Sequence, residues 1–220
     1  SVETILHRLG VDSQVPRCTW IRGGQSEANR RLTSFLDTRL DGYAKRHNDP
    51  AEPYDSQLSS YLHFGQISPV VIYNRAIERP VADVPAFVEQ LVVRRELAMN
   101  FVHYNPLYDR YEGLPDWARR TLALHEGDPR PVRYTEEEME KAATHDPYWN
   151  AAQRELVHRG TMHGYMRMYW GKKILEWSAS PKKAFELALH LNNRYQLDGR
   201  DPNGYAGVAW CFGKHDRPWV

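Results

Sequence analysis

The segment from His163 to Trp177 places five side chains on one face of a helix. Positions 163, 167, 170, 174 and 177 are separated by 4, 3, 4 and 3 residues, which matches helical periodicity. Trp170 and Trp177 then lie two turns apart, about 10.5 Å along the helix axis. Such a stripe is commonly a core face, but it also contains Arg167, and a buried guanidinium is unfavourable without an acidic partner. We therefore expect an acid from another segment to reach this helix.

The segment from Asp198 to Gly207 is the best source of that acid. Asp198 and Asp201 are the candidate partners of Arg167. The glycines of this segment allow the backbone to approach a ligand closely, and its Asp and Asn side chains can bond to ring N–H and C=O groups. The same composition is also typical of an ordinary turn, so the segment alone does not distinguish a ligand-binding loop from a turn.

Helical periodicity recurs along the chain, whereas alternating strand patterns are nearly absent. Ser26, Ser68 and Ser180 are suited to cap helix N-termini, and Thr135 with Glu138 fits a capping box. The predicted helices cover residues 26–43, 68–78, 84–104, 135 onward, 150–178 and 180–193, where residues 150–178 form either one helix or two broken near Gly160. Residues 105–133 contain four prolines and are predicted to be irregular. We expect one all-α domain over residues 1–220, a fragment of a longer protein because it opens without an initiator methionine.

The composition argues against several classes of protein. With a formal net charge of +1, the chain lacks the strong positive charge of many nucleic-acid binders, so DNA binding would need a local basic patch. Cys18 and Cys211 lack metal-ligand spacing and are too few for a disulfide framework, which favours a reducing, intracellular and cytoplasmic location. No apolar run is long enough to cross a bilayer, so we expect no membrane partner, and we also expect no metal. P-loop, dinucleotide-binding and nucleophile-elbow motifs are absent.

A third segment, residues 54–65, precedes the helix predicted to begin at Ser68 and is rich in hydroxyl groups. Hydroxyls and backbone amides near helix starts suit phosphate oxygens, although a plain capping role explains the composition equally well. Arg94 and Arg95 lie within a predicted helix, where they could pair with phosphates or form a solvated face.

Five segments, taken together and in order, resemble the class II cyclobutane pyrimidine dimer DNA photolyases of the photolyase/cryptochrome family. They are Leu58–Ser68, Arg94–Phe101, Thr144–Gln153, Met162–Trp170 and Asp198–Gly207. The similarity extends from about Trp20 to Trp219. It implies the C-terminal, all-helical FAD-binding domain. It also implies that the family's N-terminal α/β antenna domain, with any antenna chromophore bound there, is missing from this chain.

The resemblance implies that FAD, active in its reduced form FADH⁻, binds folded in a U shape within the helical bundle. The residues implied to bind it are Tyr43, Asp55, Ser56, Gln57, Leu58, Ser59, Arg95, Arg167, Asn192, Asp198, Asp201 and Asn203. Arg167 paired with Asp198 would flank the isoalloxazine, and Asn192 would face its N5 region. The implied electron-transfer chain leads from Trp170, nearest the flavin, to Trp149 and Trp177.

The implied partner is UV-damaged DNA containing cyclobutane pyrimidine dimers, which a monomeric lyase would repair by light-driven electron transfer to a flipped-out dimer. The residues implied to contact the dimer or the DNA are Arg46, Gln90, Arg94, Met168, Trp210, Arg217 and Trp219. Gln90 is a departure, because the family usually has a glutamate before the arginine pair, and glutamine cannot carry charge. Two alternatives therefore stay open: a cryptochrome-like flavin photoreceptor without repair activity, and a cofactor-free helical module that binds DNA.

Overall fold

The computed structural model describes residues 2–11, 14–15, 17–52 and 54–215, so Arg217 and Trp219, both expected at the DNA, lie outside the described residues. Every regular element in the described part is helical, which confirms the all-α fold. The α-helices, numbered α1 to α13 in chain order, are Val2–Arg8, Gln25–Thr38, Tyr43–Arg46, Ser59–His63, Pro69–Ile77, Val84–Val88, Arg95–Tyr104, Asp116–Leu124, Glu136–Glu140, Pro147–Arg159, Gly164–Trp177, Pro181–Tyr195 and Pro202–Cys211. A π-helix at Glu89–Arg94 joins α6 to α7, and a 3-10 helix lies at Tyr111–Gly113.

Capping side chains set three of the helix starts as predicted. The Ser68 hydroxyl accepts a hydrogen bond from the amide of Val70 at the start of α5, and the Ser180 hydroxyl accepts one at the start of α12. Thr135 and Glu138 form the expected capping box at the start of α9, in which each side chain accepts from the other residue's amide. These contacts satisfy amides that no helical carbonyl can reach.

The prediction that Ser26 caps α2 is wrong. The helix begins at Gln25 after Gly24, which has φ 112° and provides no side-chain cap. The Gly24 amide donates to the side chain of Gln66 at 2.7 Å, and this contact fixes the chain before Ser26 is reached. The helix also ends at Thr38, earlier than expected, and the separate helix α3 follows.

Two stretches that the sequence did not indicate as helical do form helices. Residues 105–133 include α8, and residues 198–207 include the first part of α13. Asp201 caps α13 by accepting from the Asn203 amide, and Pro202 occupies the first helical turn, where its missing N–H costs nothing. Of the two possibilities for residues 150–178, the structure has two helices, because Gly160 ends α10 with φ 66°.

The buried side chains form two clusters. The first, here called the N-terminal core, is built from α2 to α6 and their connections and includes Leu32, Phe35, Tyr43, Leu58, Tyr61, Ile72 and Phe87. The second, here called the tryptophan core, is built mainly from α10 to α13 and includes Trp149, Trp170, Ile174, Trp177, Phe185, Leu191, Val208 and Phe212. Helix α13 also packs on α7, which connects the two halves of the molecule.

Within the tryptophan core, α11 and α13 approach closely at a glycine. A Cβ added at Gly171 would lie 2.6 Å from the Cys211 sulfur, well inside van der Waals contact. Cys211 is itself buried, and its sulfur lies 3.4 Å from the Gly207 carbonyl oxygen. The absence of a side chain at Gly171 is therefore what allows the two helices to pack at this distance.

In the described part of the chain, no helix is both long and apolar enough to cross a membrane. The described residues also bring together no group of three His, Cys, Asp or Glu side chains able to hold a metal ion.

Candidate cofactor and electron-transfer site

A cavity of about 1120 Å³ lies between the N-terminal core and the tryptophan core. Tyr43, residues 55–59, Gln90 and Arg94 line one side of it, and residues of α11 and α13 line the other. Small-molecule and cofactor sites in proteins commonly have volumes of roughly 300–1000 Å³. This cavity therefore has room for a ligand as large as a dinucleotide.

The loop formed by residues 55–59 is held in place by arginines from α2 and its C-terminal end. The Arg39 guanidinium donates to the Asp55 carbonyl at 3.1 Å, and Arg31 donates to the Gln57 side chain at 2.8 Å. Gln57 has φ 54°, a left-handed conformation that costs energy for a residue with a side chain. Asp55, Ser56, Gln57, Leu58 and Ser59 all line the cavity, whereas the cofactor binding that the resemblance implies for them stays a prediction.

Tyr43 forms an adjacent part of the wall together with His47, one helical turn later. Burial raises the pKa of the Tyr43 hydroxyl to about 12, so this group stays protonated and able to donate. The His47 ring stacks on Tyr43 with a centroid distance of 4.6 Å, and its Nδ1 lies 2.7 Å from the Tyr43 carbonyl oxygen. The pair presents an aromatic surface with polar edges to the cavity.

Arg167 is the residue whose surroundings differ most from expectation. Its Nε is buried and has no hydrogen-bond partner among the described residues. The expected pair with Asp198 is not formed, because the described ion pairs include neither that contact nor one to Asp201. Asp201 instead lies 3.1 Å from the Nδ1 of His63 and caps α13. The reason is geometric: the capping position fixes the Asp201 carboxylate at the start of α13.

Arg167 does not line the cavity but lies directly behind Gly207, which does, and its positive charge favours an anionic ligand or one with hydrogen-bond acceptors there. A Cβ added at Gly207, which lines the cavity, would lie 3.8 Å from the Arg167 Nη1. A buried donor without an acceptor is unfavourable, so a ligand acceptor at this point would remove the cost. The residues present therefore fit a large cofactor with hydrogen-bond acceptors on its ring.

Asn192, expected to face the flavin ring, does not line the cavity. It is 2% exposed, and its amide donates to the Asn193 side chain at 3.2 Å. A Cβ added at Gly204 would lie 3.0 Å from the Asn192 amide nitrogen, so the side chain lies directly behind that glycine. Of the residues expected from α13, Asn203 does line the cavity.

The structure brings the three tryptophans of the expected chain together. Trp149, Trp170 and Trp177 are at most 1% exposed. The indole N–H of Trp149 donates to the Trp170 carbonyl at 3.0 Å, and the Trp149 and Trp177 rings meet edge to face with centroids 5.5 Å apart. The Trp170 indole N–H donates to the Gln153 side chain at 2.8 Å. Trp149 thus lies between the other two, which the helical stripe alone could not indicate.

Beyond Trp177, two further aromatic residues continue toward the surface. The Tyr134 ring lies 5.3 Å from Trp177, and the His145 ring lies 5.5 Å from it. The Tyr134 hydroxyl and the His145 Nδ1 are 2.6 Å apart. This geometry allows a proton to pass from the phenol to the imidazole if the tyrosine is oxidised, so the pair can stabilise positive charge at this end of the chain.

On the opposite wall, Gln90 and Arg94 face the cavity from the π-helix. A π-helical segment inside an otherwise α-helical run is uncommon and often accompanies a functional site. The Arg94 Nε lies 3.3 Å from a carboxylate oxygen of Glu89, the acid that precedes Gln90. Gln90 therefore provides a neutral amide to the cavity, while the neighbouring Glu89 carboxylate forms an ion pair with Arg94.

The other expected contact residues divide into two sets. Met168 and Trp210 line the cavity from α11 and α13. Arg46 and Arg95 do not; Arg46 stacks over the Tyr54 ring at 4.8 Å, and Arg95 lies 3.4 Å from Glu96.

Several residues of the wall were not predicted. They are His47, Asn48, Leu97, Ala98, Pro115, His163, Gly164, Tyr165, Ala206, Gly207, Lys214 and His215. The sequence carried a signal for some of them, because Gly207 ends a segment already identified and Tyr165 lies between His163 and Arg167. Lys214 gave no such signal: its ammonium lies 4.2 Å from the Phe101 ring centroid, and burial lowers its pKa.

No family model matches the chain. Over 199 residues it is 57% identical to the deoxyribodipyrimidine photo-lyase of Methanothermobacter thermautotrophicus, covering 90% of this chain and 44% of that protein. Over 216 residues it is 47% identical to the deoxyribodipyrimidine photo-lyase of Potorous tridactylus, covering 96% of this chain and 41% of that protein. The chain thus spans less than half the length of these relatives.

Solved structures share the fold at lower identity. A bacterial class III photolyase from Agrobacterium tumefaciens superposes with a TM-score of 0.68 at 24% identity, covering 86% of this chain and 38% of that one. An archaeal photolyase from Sulfolobus tokodaii, solved with two FAD molecules, gives 0.62 at 19% identity, and a Synechocystis cryptochrome gives 0.65 at 16%. Each of these two alignments covers 93% of this chain and 44% of the other. At these identities the likeness shows a common fold.

Proposed function

Because this chain belongs to the photolyase/cryptochrome family, we propose that it is the catalytic, FAD-binding domain of a class II photolyase that repairs cyclobutane pyrimidine dimers in DNA. The domain comprises residues 1–220, and any antenna chromophore binds outside it. The observation that carries the proposal is the cavity of about 1120 Å³, with the Arg167 guanidinium behind one of its wall residues, Gly207. The names of the relatives support the reaction, and the Sulfolobus tokodaii structure supports the cofactor.

The residues proposed to hold FAD come from both cores. Tyr43 and residues 55–59 contact its phosphates and ribityl chain, and Arg167, behind Gly207, places its guanidinium near the ring. When bound in its reduced form and excited by light, FAD supplies the electron that opens the cyclobutane ring, and that electron then returns. Arg167 contributes a fixed positive charge that requires no rearrangement of solvent.

The tryptophans are proposed to provide a one-electron route between the cavity and the surface. Trp170 lies on the same helix as Arg167, Trp149 follows, and Trp177 is the last indole. Burial keeps water from the first two indoles, and the bonded indole nitrogens of Trp149 and Trp170 fix the ring positions. The route restores the reduced state and takes no part in ring opening.

The part of the cavity lined by Met168, Trp210 and Gln90 is proposed to receive the flipped-out dimer. Met168 and Trp210 offer apolar and aromatic surface to the bases, and Gln90 offers an amide. Arg94 supplies charge at the cavity, and Arg46 is proposed to contact the DNA outside it. Arg217 and Trp219 are also proposed to contact the DNA. The protein acts on UV-damaged DNA as a monomer.

Illumination of the reduced protein with dimer-containing DNA tests the repair activity. We expect dimers to disappear only in the light and only when FAD is bound. An absorption spectrum of the protein detects the bound FAD. Trp149→Phe should abolish light-driven reduction of the oxidised protein while chemically reduced protein still repairs. Tyr148→Phe is the matched control, because Tyr148 is adjacent in sequence but 75% exposed. Unchanged dimer content with reduced, FAD-loaded protein would refute the repair proposal.

Gln90 favours the cryptochrome-like alternative, because a neutral amide replaces the family's usual acid at the cavity. A photoreceptor of this kind would show light-driven reduction through Trp149 and no loss of dimers. Gln90→Glu then separates the two functions, since restoring a carboxylate should raise the repair rate of a repair enzyme.

A further inference from the structure

A second cavity, of about 350 Å³, opens at the surface beside Trp177, and we call it the Trp177 cleft. Its wall includes Trp177, His145, Arg130, Val132, Lys172 and Leu122. Prolines at positions 129, 131 and 181 contribute to the same wall. Because proline restricts the backbone, the wall is built from stiff segments. The volume suits a small organic molecule far better than a protein segment.

The cleft gives access to an indole that is otherwise enclosed. Trp177 is 1% exposed overall. The Trp149 and Tyr134 rings lie against it, and the Lys173 ammonium lies 5.5 Å from its ring centroid. A molecule that exchanges an electron with Trp177 by direct approach therefore has to enter the Trp177 cleft.

The charges around the cleft favour an anion. Of its two carboxylates, Glu176 is paired with the Lys173 ammonium at 2.8 Å, and Asp128 is hydrogen-bonded to the His125 imidazole at 2.9 Å.

Its two permanent cations are not neutralised in this way. In the ranges that the structure describes, neither Arg130 nor Lys172 takes part in an ion pair. Arg130 donates to the carbonyls of Leu175 and Glu176 at 2.8 and 3.0 Å, which holds its side chain at the cleft, and its Nε is buried without a partner. Two permanent cations, Arg130 and Lys172, thus face one carboxylate, Asp128, that has no permanent cation as partner, and the balance at the cleft is positive.

We propose that the Trp177 cleft binds a small organic anion that reduces Trp177 after the tryptophan route has been oxidised. This inference rests on the proposed function, which supplies the oxidised indole. The donor is of the enediolate class: one electron passes from it to the Trp177 radical cation, which becomes neutral tryptophan. The donor's remaining hydroxyl proton passes to water, and no bond to the protein forms. Each turnover of the route therefore consumes one electron from a docked donor.

Binding can be measured without light or cofactor chemistry. In protein labelled with ¹⁵N at tryptophan, the Trp177 indole resonance is identified by its loss in Trp177→Phe and is then titrated with ascorbate. We expect a shift that saturates. Val132→Phe, which fills the cleft from a residue that is 38% exposed, should remove the shift.

Charge reversal supplies a second test that does not disturb the core. Lys172 is exposed, so Lys172→Glu should weaken ascorbate binding about threefold to fivefold, the size expected for one solvent-exposed ion pair. Lys183→Glu is the matched control, because Lys183 is also exposed and does not line the cleft. Dithiothreitol, which is neutral at pH 7, should show no dependence on either lysine.

In the FAD-loaded protein, the rate at which the oxidised tryptophan route recovers after a flash should saturate with ascorbate concentration. The same Val132→Phe variant should turn this into a slow, linear dependence. A Trp177 resonance that ascorbate leaves unshifted, or that shifts equally in Val132→Phe, would overturn the inference. Either result would leave dimer repair untouched, whereas saturable binding without any repair would count against the proposed function alone.

Discussion

In the tryptophan core, the indole nitrogens of Trp149 and Trp170 each have a protein acceptor, whereas the Nε of Arg167, one turn from Trp170 on α11, has none. The same helix therefore carries a buried indole nitrogen with a hydrogen-bond acceptor and a buried guanidinium nitrogen without one. Buried polar atoms in folded proteins are nearly always satisfied, so the exceptions are informative. The difference indicates that the protein itself satisfies the polar atoms of the tryptophan core, whereas the guanidinium behind the cavity wall has a donor left for a ligand.

The largest expected effect is a difference in stability between substitutions in the tryptophan core and substitutions in the cavity wall. Trp149→Ala removes a fully buried indole, and it should lower the free energy of unfolding by about 3–5 kcal/mol. Trp210→Ala, in the cavity wall, should lower it by about 1 kcal/mol or less. Urea denaturation followed by circular dichroism measures both. Similar losses in the free energy of unfolding for the two variants would contradict this difference between the core and the cavity wall.

Arg167→Met should weaken FAD binding without lowering the stability of the ligand-free protein. Losing a hydrogen bond from a charged donor should weaken FAD binding by about 10- to 100-fold. The ligand-free protein should be as stable as before or more stable, because the variant removes a buried donor without a partner. Calorimetric titration with FAD and thermal unfolding measure the two effects. Arg120→Met, at an exposed position of α8, is the control and should change neither.

Gly171→Ala tests how tightly the tryptophan core is filled. The added methyl group would lie 2.6 Å from the Cys211 sulfur, so we expect a loss of about 1–3 kcal/mol in the free energy of unfolding. Gly164→Ala on the same helix should be nearly neutral, because a Cβ there meets nothing within 4 Å. Removing the sulfur with Cys211→Ala should recover part of the loss, and its failure to do so would mean that the strain lies elsewhere.

Asp146→Ala gives the smallest effect and a pH dependence of known sign. Burial acts to raise the pKa of the Asp146 carboxyl, but hydrogen bonds from the Tyr169 hydroxyl and from the Trp149 and Tyr148 amides outweigh it and lower the pKa below 3.8. A carboxyl with a lowered folded-state pKa stabilises the protein above its unfolded pKa and loses this contribution as the pH falls.

The variant should therefore be less stable than the wild type by about 1 kcal/mol at pH 7, a typical value for an N-cap. The difference should stay constant from pH 6 to pH 8 and shrink below about pH 4, as thermal unfolding in matched buffers would show. A stability difference between wild type and variant that grows on acidification would mean that folding raises the Asp146 pKa, and would contradict the account.

The sequence predicted the parts of the fold that local chemistry controls. The caps at Ser68, Thr135 and Ser180 act within one turn of the backbone, and the break at Gly160 follows from one residue. The start of α2 was missed because it depends on Gln66, which is distant in sequence. Helix α13 was missed because its glycines resemble a loop, and only packing against α7 and α11 compensates for them.

The site shows the same division. Residues 55–59 and Met168 were predicted and do line the cavity. The helical spacing placed Trp170 and Trp177 on one face, but only the packing of α10 on α11 puts Trp149 against Trp177. The pairing of Arg167 with Asp198 was expected from charge and from the resemblance, and it is not formed; the other candidate, Asp201, is held at the start of α13 as its N-cap.

The structure of the FAD complex tests the central claim most directly. We predict the isoalloxazine in the cavity between the two cores, with one of its acceptor atoms within about 3.2 Å of the Arg167 Nε. A complex in which FAD lies elsewhere, or in which that nitrogen still has no partner, would contradict the account.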